Sequence, residues 1–182
     1  MEKLIVFGIL SLPVILISWR TLFSLRSHGF YRFFSWECIL WLLVSNYSFW
    51  FENPFSIRQI FSWVFLFYSI YLVLAGTLLL KKAAKAKKTR NDEKLFSFEK
   101  TTELIETGIF KYIRHPLYSS LLFLTWGIYL KNTTGLLMVI SLSSSAFLYL
   151  TARFDEKECT AFFGEKYRDY MKRTKRFIPF VL

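Results

Sequence analysis

Long uncharged runs alternate with short charged links along the whole chain, and that alternation predicts helices of membrane-spanning length rather than strands. Residues 4–19 form the first run, interrupted by Pro13 alone, which neighbouring helices can accommodate in a bilayer. With only Lys3 at its positive end and no small-residue cleavage signal after it, the run predicts a retained helix. A basic link over 20–32, containing His28 and Gly29, leads to a second run over 33–51. The acid inside that run, Glu37, is expected to snorkel to the interface. Glu52-Asn53-Pro54 marks a turn, and 59–80 is the longest uncharged span, with Trp50 and Trp63 placed as an interfacial belt. After a charge run over 81–94, residues 95–113 have mixed polarity and predict short helical pieces along the membrane surface. Residues 117–130 are 14 uncharged positions, short for a crossing, and 131–135 is a turn. A returning arm over 132–152 then carries Ser143-Ser144-Ser145, small residues that allow close helix packing. Beyond Phe154 charges mix with Phe162, Phe163, Tyr167, Tyr170 and Met171, and Gly164 is expected to split this tail into two short helices lying over the membrane or a site.

The expected fold is therefore all-α: about five transmembrane helices, a C-terminal helical hairpin and short cytosolic helices, in one domain. Residues 1–94 supply N-terminal helices and a basic loop; 95–182 supply the chemistry. A hydrophobic content of 54% with 20% aromatic residues is too apolar for an ordinary soluble fold of 182 residues. The net charge of +11 raises nucleic acid as a partner, but its distribution points to the bilayer. Five crossings with the N-terminus outside put 21 of the 24 basic residues on the cytosolic side, leaving Lys3, Arg58 and Lys131 outside. Cys38 lies in an apolar run and Cys159 in a charged tail, so no disulfide is expected, and no metal-ligand spacing is read.

The chemistry concentrates over 107–119, where Lys111, Arg114 and His115 precede Pro116 and an apolar run. Proline suits the first turn of a helix, so Arg114-His115-Pro116 predicts a helix mouth with free backbone N–H groups, a ready anion site. The hairpin returns Ala152–Glu156 to the same level, setting a basic cluster across a small gap from an acidic one.

Leu104-Ile105, Gly108, Phe110 and Arg114-His115-Pro116-Leu117-Tyr118 resemble the L-V-x-x-G-x-Y-x-x-x-R-H-P-x-Y signature of the isoprenylcysteine carboxyl methyltransferase and phospholipid methyltransferase families. Arg153, Asp155-Glu156, Phe163-Gly164, Tyr167, Tyr170, Arg176 and Pro179 resemble their R-x-E-E…F-G-x-x-Y-x-x-Y…P ending. Phe110 stands where the pattern has Tyr, and Asp155 where it has Glu. The resemblance implies an S-adenosylmethionine-dependent methyltransferase of isoprenylcysteine carboxyl type. It assigns cofactor binding to Thr102, Glu103, Leu104, Ile105, Phe110, His115, Pro116, Leu117, Tyr118 and the pair Asp155/Glu156, and places Arg153 where an acceptor carboxylate could be held. On charge alone, Arg114 and His115 suit the cofactor's carboxylate, and Glu156 or Asp155 its ammonium, with Glu156 weighted first and Glu158 solvated.

The acceptor implied is lipophilic, with its head at the cytosolic membrane face. A carboxylate, a phospholipid amine and a small thiol are all compatible. Two rival classes stand beside this reading. One is a sterol-reductase-like enzyme using a nicotinamide cofactor, which shares R-H-P-x-Y but lacks the acidic pair. The other is a non-catalytic membrane subunit.

Overall fold

The computed structural model describes residues 1–86 and 103–180; Thr102 and most of the 81–94 charge run lie outside the described residues. Six α-helices follow one another: α1 (Glu2–Leu22), α2 (His28–Asn46), α3 (Ile57–Ala86), α4 (Pro116–Tyr129), α5 (Gly135–Phe163) and α6 (Glu165–Arg173). Short 3-10 turns sit at Tyr47–Phe49 and Gly108–Lys111, and no strand occurs among the described residues. Among the described residues three helices, not the expected five, are long and apolar enough to cross a membrane alone: Glu2–Leu22, Ile57–Ala83 and Gly135–Phe163. The other two fall short for different reasons. Arg32 and Glu37 lie within the 19 residues of α2, and α4 has 14 residues, about 21 Å at 1.5 Å per residue.

Both shorter helices pack inside the shell of the longer ones, α4 chiefly on α3 and α2 chiefly on α5. Small residues make these approaches close. A Cβ on Gly127 would come within 2.9 Å of Leu66 Cδ2. Along the same seam Ser62 Oγ donates to the Gly127 carbonyl at 2.7 Å, and Ser69 Oγ to that of Ser120 at 2.7 Å. Ser144, one of the three serines expected to permit close packing, joins three helices: it contacts Ser35 Oγ at 2.9 Å and Thr125 Oγ1 at 3.1 Å. Hydrogen-bonded small residues of this kind substitute for hydrophobic driving force where the surroundings are already apolar. Glu37 does not snorkel. Ser11 Oγ of α1 donates to its Oε2 at 2.6 Å, so the acid joins α1 to α2.

The end of the bundle farther along the chain from the Arg-His-Pro motif is fixed by Lys131, which leaves no area exposed. Its Nζ lies 3.5 Å from the Trp63 ring centroid and 5.3 Å from that of Trp50, and it donates to Gln59 Oε1 at 3.0 Å. The charge count places Lys131 at an external turn; the two tryptophans enclose its side chain, a cation–π contact strengthened by desolvation. Replacing Lys131 with Met keeps the apolar stem but leaves Gln59 Oε1 without its donor. Thermal unfolding in detergent should show a loss of about 1–3 kcal/mol, and unchanged stability would show that the cage holds nothing together.

Candidate active site

The α4 helix begins as its sequence dictates. Pro116 occupies the first turn, His115 is the N-cap with φ −123° and ψ 63°, and no side chain caps the first N–H groups. Ahead of it, Gly108 adopts φ +59°, and a Cβ there would meet Leu79 Cδ1 at 2.7 Å, so both conformation and space favour glycine. The C-terminal tail then passes under this loop as a short parallel bridge between Ile113 and Lys175. The Arg114 N–H donates to the Lys175 carbonyl at 2.8 Å, and the His115 N–H to that of Arg176 at 3.2 Å. Ser119 Oγ donates to the Phe177 carbonyl at 2.7 Å, and Tyr170 Oη to that of Phe110 at 2.6 Å.

At the centre of this junction Glu156, 5% exposed, is held by two guanidiniums. Arg114 Nε donates to its Oε1 at 2.9 Å. Arg176 meets it with two bonds, Nε to Oε1 at 3.0 Å and Nη2 to Oε2 at 2.7 Å. Arg114 Nη1 also donates to the Met171 carbonyl at 3.2 Å and to the Thr174 carbonyl. The arginine read as an anion ligand thus spends its donors tying α5 and the tail to the α4 mouth.

The ligand-sized space lies on the other side of His115. A cavity of about 850 Å³ of empty space, its open mouth included, is lined by Glu103, Leu104, Ile105, Phe110, Arg114, His115, Pro116, Leu117, Tyr118 and Asp155. These are ten of the residues the sequence singled out; Leu80, Glu158, Cys159, Phe163, Tyr167 and Tyr170 complete the wall. Neither Glu156 nor Arg153 lines it. Successive residues on a helix point about 100° apart, so a face holding Asp155 also holds Glu158, three positions on, and excludes 153 and 156. Arg153 is exposed, its Nη1 within 3.4 Å of Tyr149 Oη. Glu158, expected in solvent, is only 32% exposed and accepts from His28 at the start of α2. Phe163, Tyr167 and Tyr170 do overhang the site, in line with the tail covering it.

His115 is the titratable group of this wall set between two carboxylates. It is 5% exposed and stacks on Tyr118 with ring centroids 5.3 Å apart. Its Nδ1 lies 3.4 Å from Asp155 Oδ2, and its Nε2 stands 3.5 Å from Glu156 Oε1 without a hydrogen-bond partner. Burial pushes the imidazole pKa down, but the attraction of the Asp155 and Glu156 carboxylates outweighs it, holding the pKa above its ordinary 6.5. His28, Asp155 and Glu158 each bring one potential ligand atom within 4.8 Å of the others. The 2.8 Å bond from His28 Nδ1 to Glu158 Oε2 accounts for this cluster as an ion pair.

A membrane-embedded helical fold with a cavity between an Arg-His-Pro helix mouth and an acidic returning helix defines the class. The chain belongs to the phospholipid methyltransferase family, whose model matches residues 57–167, more than half of its length. Among similar proteins, the methanethiol S-methyltransferase of Pseudomonas deceptionensis is 34% identical over 39% of this chain and 26% of its own length. A methanethiol S-methyltransferase of Crocosphaera subtropica is 28% identical over 41% of this chain and 28% of its own length. Methanethiol S-methyltransferase 2 of Bradyrhizobium diazoefficiens is 30% identical over 39% and 27% respectively. The matched part thus spans about a quarter of the length of these relatives. No solved structure matches the chain.

The raised pKa of His115 gives a pH test. Its contribution to stability is complete below the unfolded value of 6.5 and is lost as pH rises through the higher folded value. The melting temperature in detergent should fall between about pH 6 and pH 9, and His115→Gln should flatten that fall. An identical pH profile for both proteins would show that His115 is not charged in the fold.

Proposed function

We propose that this protein is an integral-membrane methyltransferase using S-adenosylmethionine, and that its acceptor is a small lipophilic thiol. The observation that carries the cofactor assignment is the cavity wall itself: the uncapped α4 N-terminus, the buried His115 and the Asp155 carboxylate line one space. S-adenosylmethionine bound there would supply a methyl group on a sulfonium. The N–H groups of Leu117 and Tyr118 with His115 suit its carboxylate, and Asp155 suits its ammonium. Tyr118, Phe163, Tyr167 and Tyr170 keep water from the reacting atoms, which favours a transfer that neutralises charge. Little acid–base help is needed once the nucleophile is anionic; positioning is the main contribution.

Two observations favour a thiol over a carboxylate acceptor. The relatives named above are methanethiol S-methyltransferases. Arg114, the guanidinium lining the cavity, is engaged with Glu156 and backbone carbonyls, and Arg153 stands off the wall. An acceptor carboxylate therefore meets no unengaged guanidinium inside. An isoprenylcysteine-type carboxylate is the second reading, favoured by the exposed Arg153 beside Tyr149 at the end of the apolar part of α5. The same reading has α2 and α4 crossing inside the shell of α1, α3 and α5, for five passes with the cavity on the cytosolic face, supported by the 21-to-3 division of basic residues.

Purified protein should bind S-adenosylmethionine and transfer its labelled methyl group to ethanethiol in preference to an N-acetyl farnesylcysteine or a phosphatidylethanolamine. His115→Ala should weaken donor binding on the order of tenfold to a hundredfold, the worth of one charge-assisted hydrogen bond. Binding of NADPH in place of S-adenosylmethionine would overturn the assignment; labelled farnesylcysteine would select the second reading. In a cysteine-free background, Phe55→Cys and Lys172→Cys, both highly exposed positions, should label from opposite sides of the membrane. Labelling from one side would rule out the five-pass arrangement.

A further inference from the structure

His28 lies outside the stretch matched by the family, 57–167, yet from the other half of the chain it backs the cavity wall by holding Glu158. It leaves no area exposed, and it reaches Glu158 by two bonds across 130 positions. Its backbone N–H donates to Glu158 Oε1 at 3.1 Å, and its Nδ1 lies 2.8 Å from Oε2. A glutamate that samples many rotamers in water is thereby held in one orientation, at the N-terminus of α2 where a negative charge is favoured. Glu158 shares its helix face with Asp155, and both line the cavity, as does His115.

The three acids of this segment differ in what neutralises them. Glu156 is bound to Arg114 and Arg176, guanidiniums that do not give up their protons. Asp155 and Glu158 face the imidazoles of His115 and His28, which do. A ligand carrying positive charge can displace a proton from an imidazole and take its place beside the carboxylate. It cannot do so beside Glu156 without leaving two arginines buried and unpaired, which is far costlier.

We propose that the cation-binding wall of this cavity is Asp155 with Glu158, and that His28 is the positioning residue that fixes Glu158 in it. The inference rests on the donor assignment made above and adds to it the carboxylate pair that receives the donor's positive charge. It moves the second carboxylate from Glu156 to Glu158, and it makes α2 part of the site.

The test compares S-adenosylmethionine with 5′-methylthioadenosine, an analogue without sulfonium or ammonium, by calorimetry on the detergent-purified full chain. Glu158→Gln should weaken the charged donor roughly tenfold and the neutral analogue less than about twofold. His28→Ala should act in the same direction, and His28→Asn, which keeps a side-chain donor, should recover most of the loss. Glu165→Gln, at an exposed position on α6, should change neither. Equal weakening of both ligands by Glu158→Gln, or no weakening of either, overturns the proposal while leaving the donor assignment standing. If His28→Ala does not fold, Glu158→Gln decides alone. A wild-type protein that does not bind S-adenosylmethionine overturns the donor assignment, and the present inference with it.

Discussion

Everything at the site hangs on one buried acid. Glu156 sits between Arg114, from the loop before α4, and Arg176, from the tail, so a single carboxylate fastens three stretches of chain distant in sequence. Buried ion pairs are not a cheap source of stability, because each partner gives up its water. What this one provides is registration: with Glu156 fixed, the tail runs alongside Ile113, its carbonyls meet the Arg114 and His115 N–H groups, and the α4 mouth is held open. Removing any one of the three members strands the other two in a low-dielectric junction. The cavity beside it is lined instead by His115, Asp155 and Glu158.

Much of this was readable from the sequence, and the reasons for success and failure differ by scale. Helix positions followed from runs of apolar residues, and the α4 start from Pro116, because both are local properties. The meeting of Arg114 and His115 with Asp155 and Glu156 followed from hairpin geometry, which returns the chain to its starting level. The orientation of each acid did not follow. Residue type favoured Glu156 for the cavity, whereas the 100° step of the helix gives the cavity to Asp155 and Glu158. That spacing was available, but a sequence does not say which face is inward. Glu37 was misjudged, since an acid near a helix end reads as solvated until a hydroxyl partner from another helix encloses it, and the aromatic cage around Lys131 gave no local signal. His28 gave no local signal at all.

The two sides of the site are held in different ways. The α3–α4 seam is closed by Gly127, Ser62 and Ser69 at contacts that leave little room for sliding. The overhanging aromatics belong instead to the end of α5 and to α6, after Gly164, where φ is +61° and a Cβ would meet nothing. The hydrogen bond from Tyr170 to the Phe110 carbonyl joins this segment to the loop before α4. Phe110 supplies its backbone to that contact, which is unaffected by the absent hydroxyl.

The bond between His28 and Glu158 has a consequence for biogenesis. Its partners are 130 positions apart, so during translation α2 enters the bilayer long before the acid that meets its first turn has been made. Until then the imidazole must be served by headgroups or water at the membrane edge. The bridge from Ile113 to Lys175 forms later still. The nascent chain therefore carries an unfinished polar junction through most of its synthesis, and quality-control proteases have their widest opportunity just before the last segment docks.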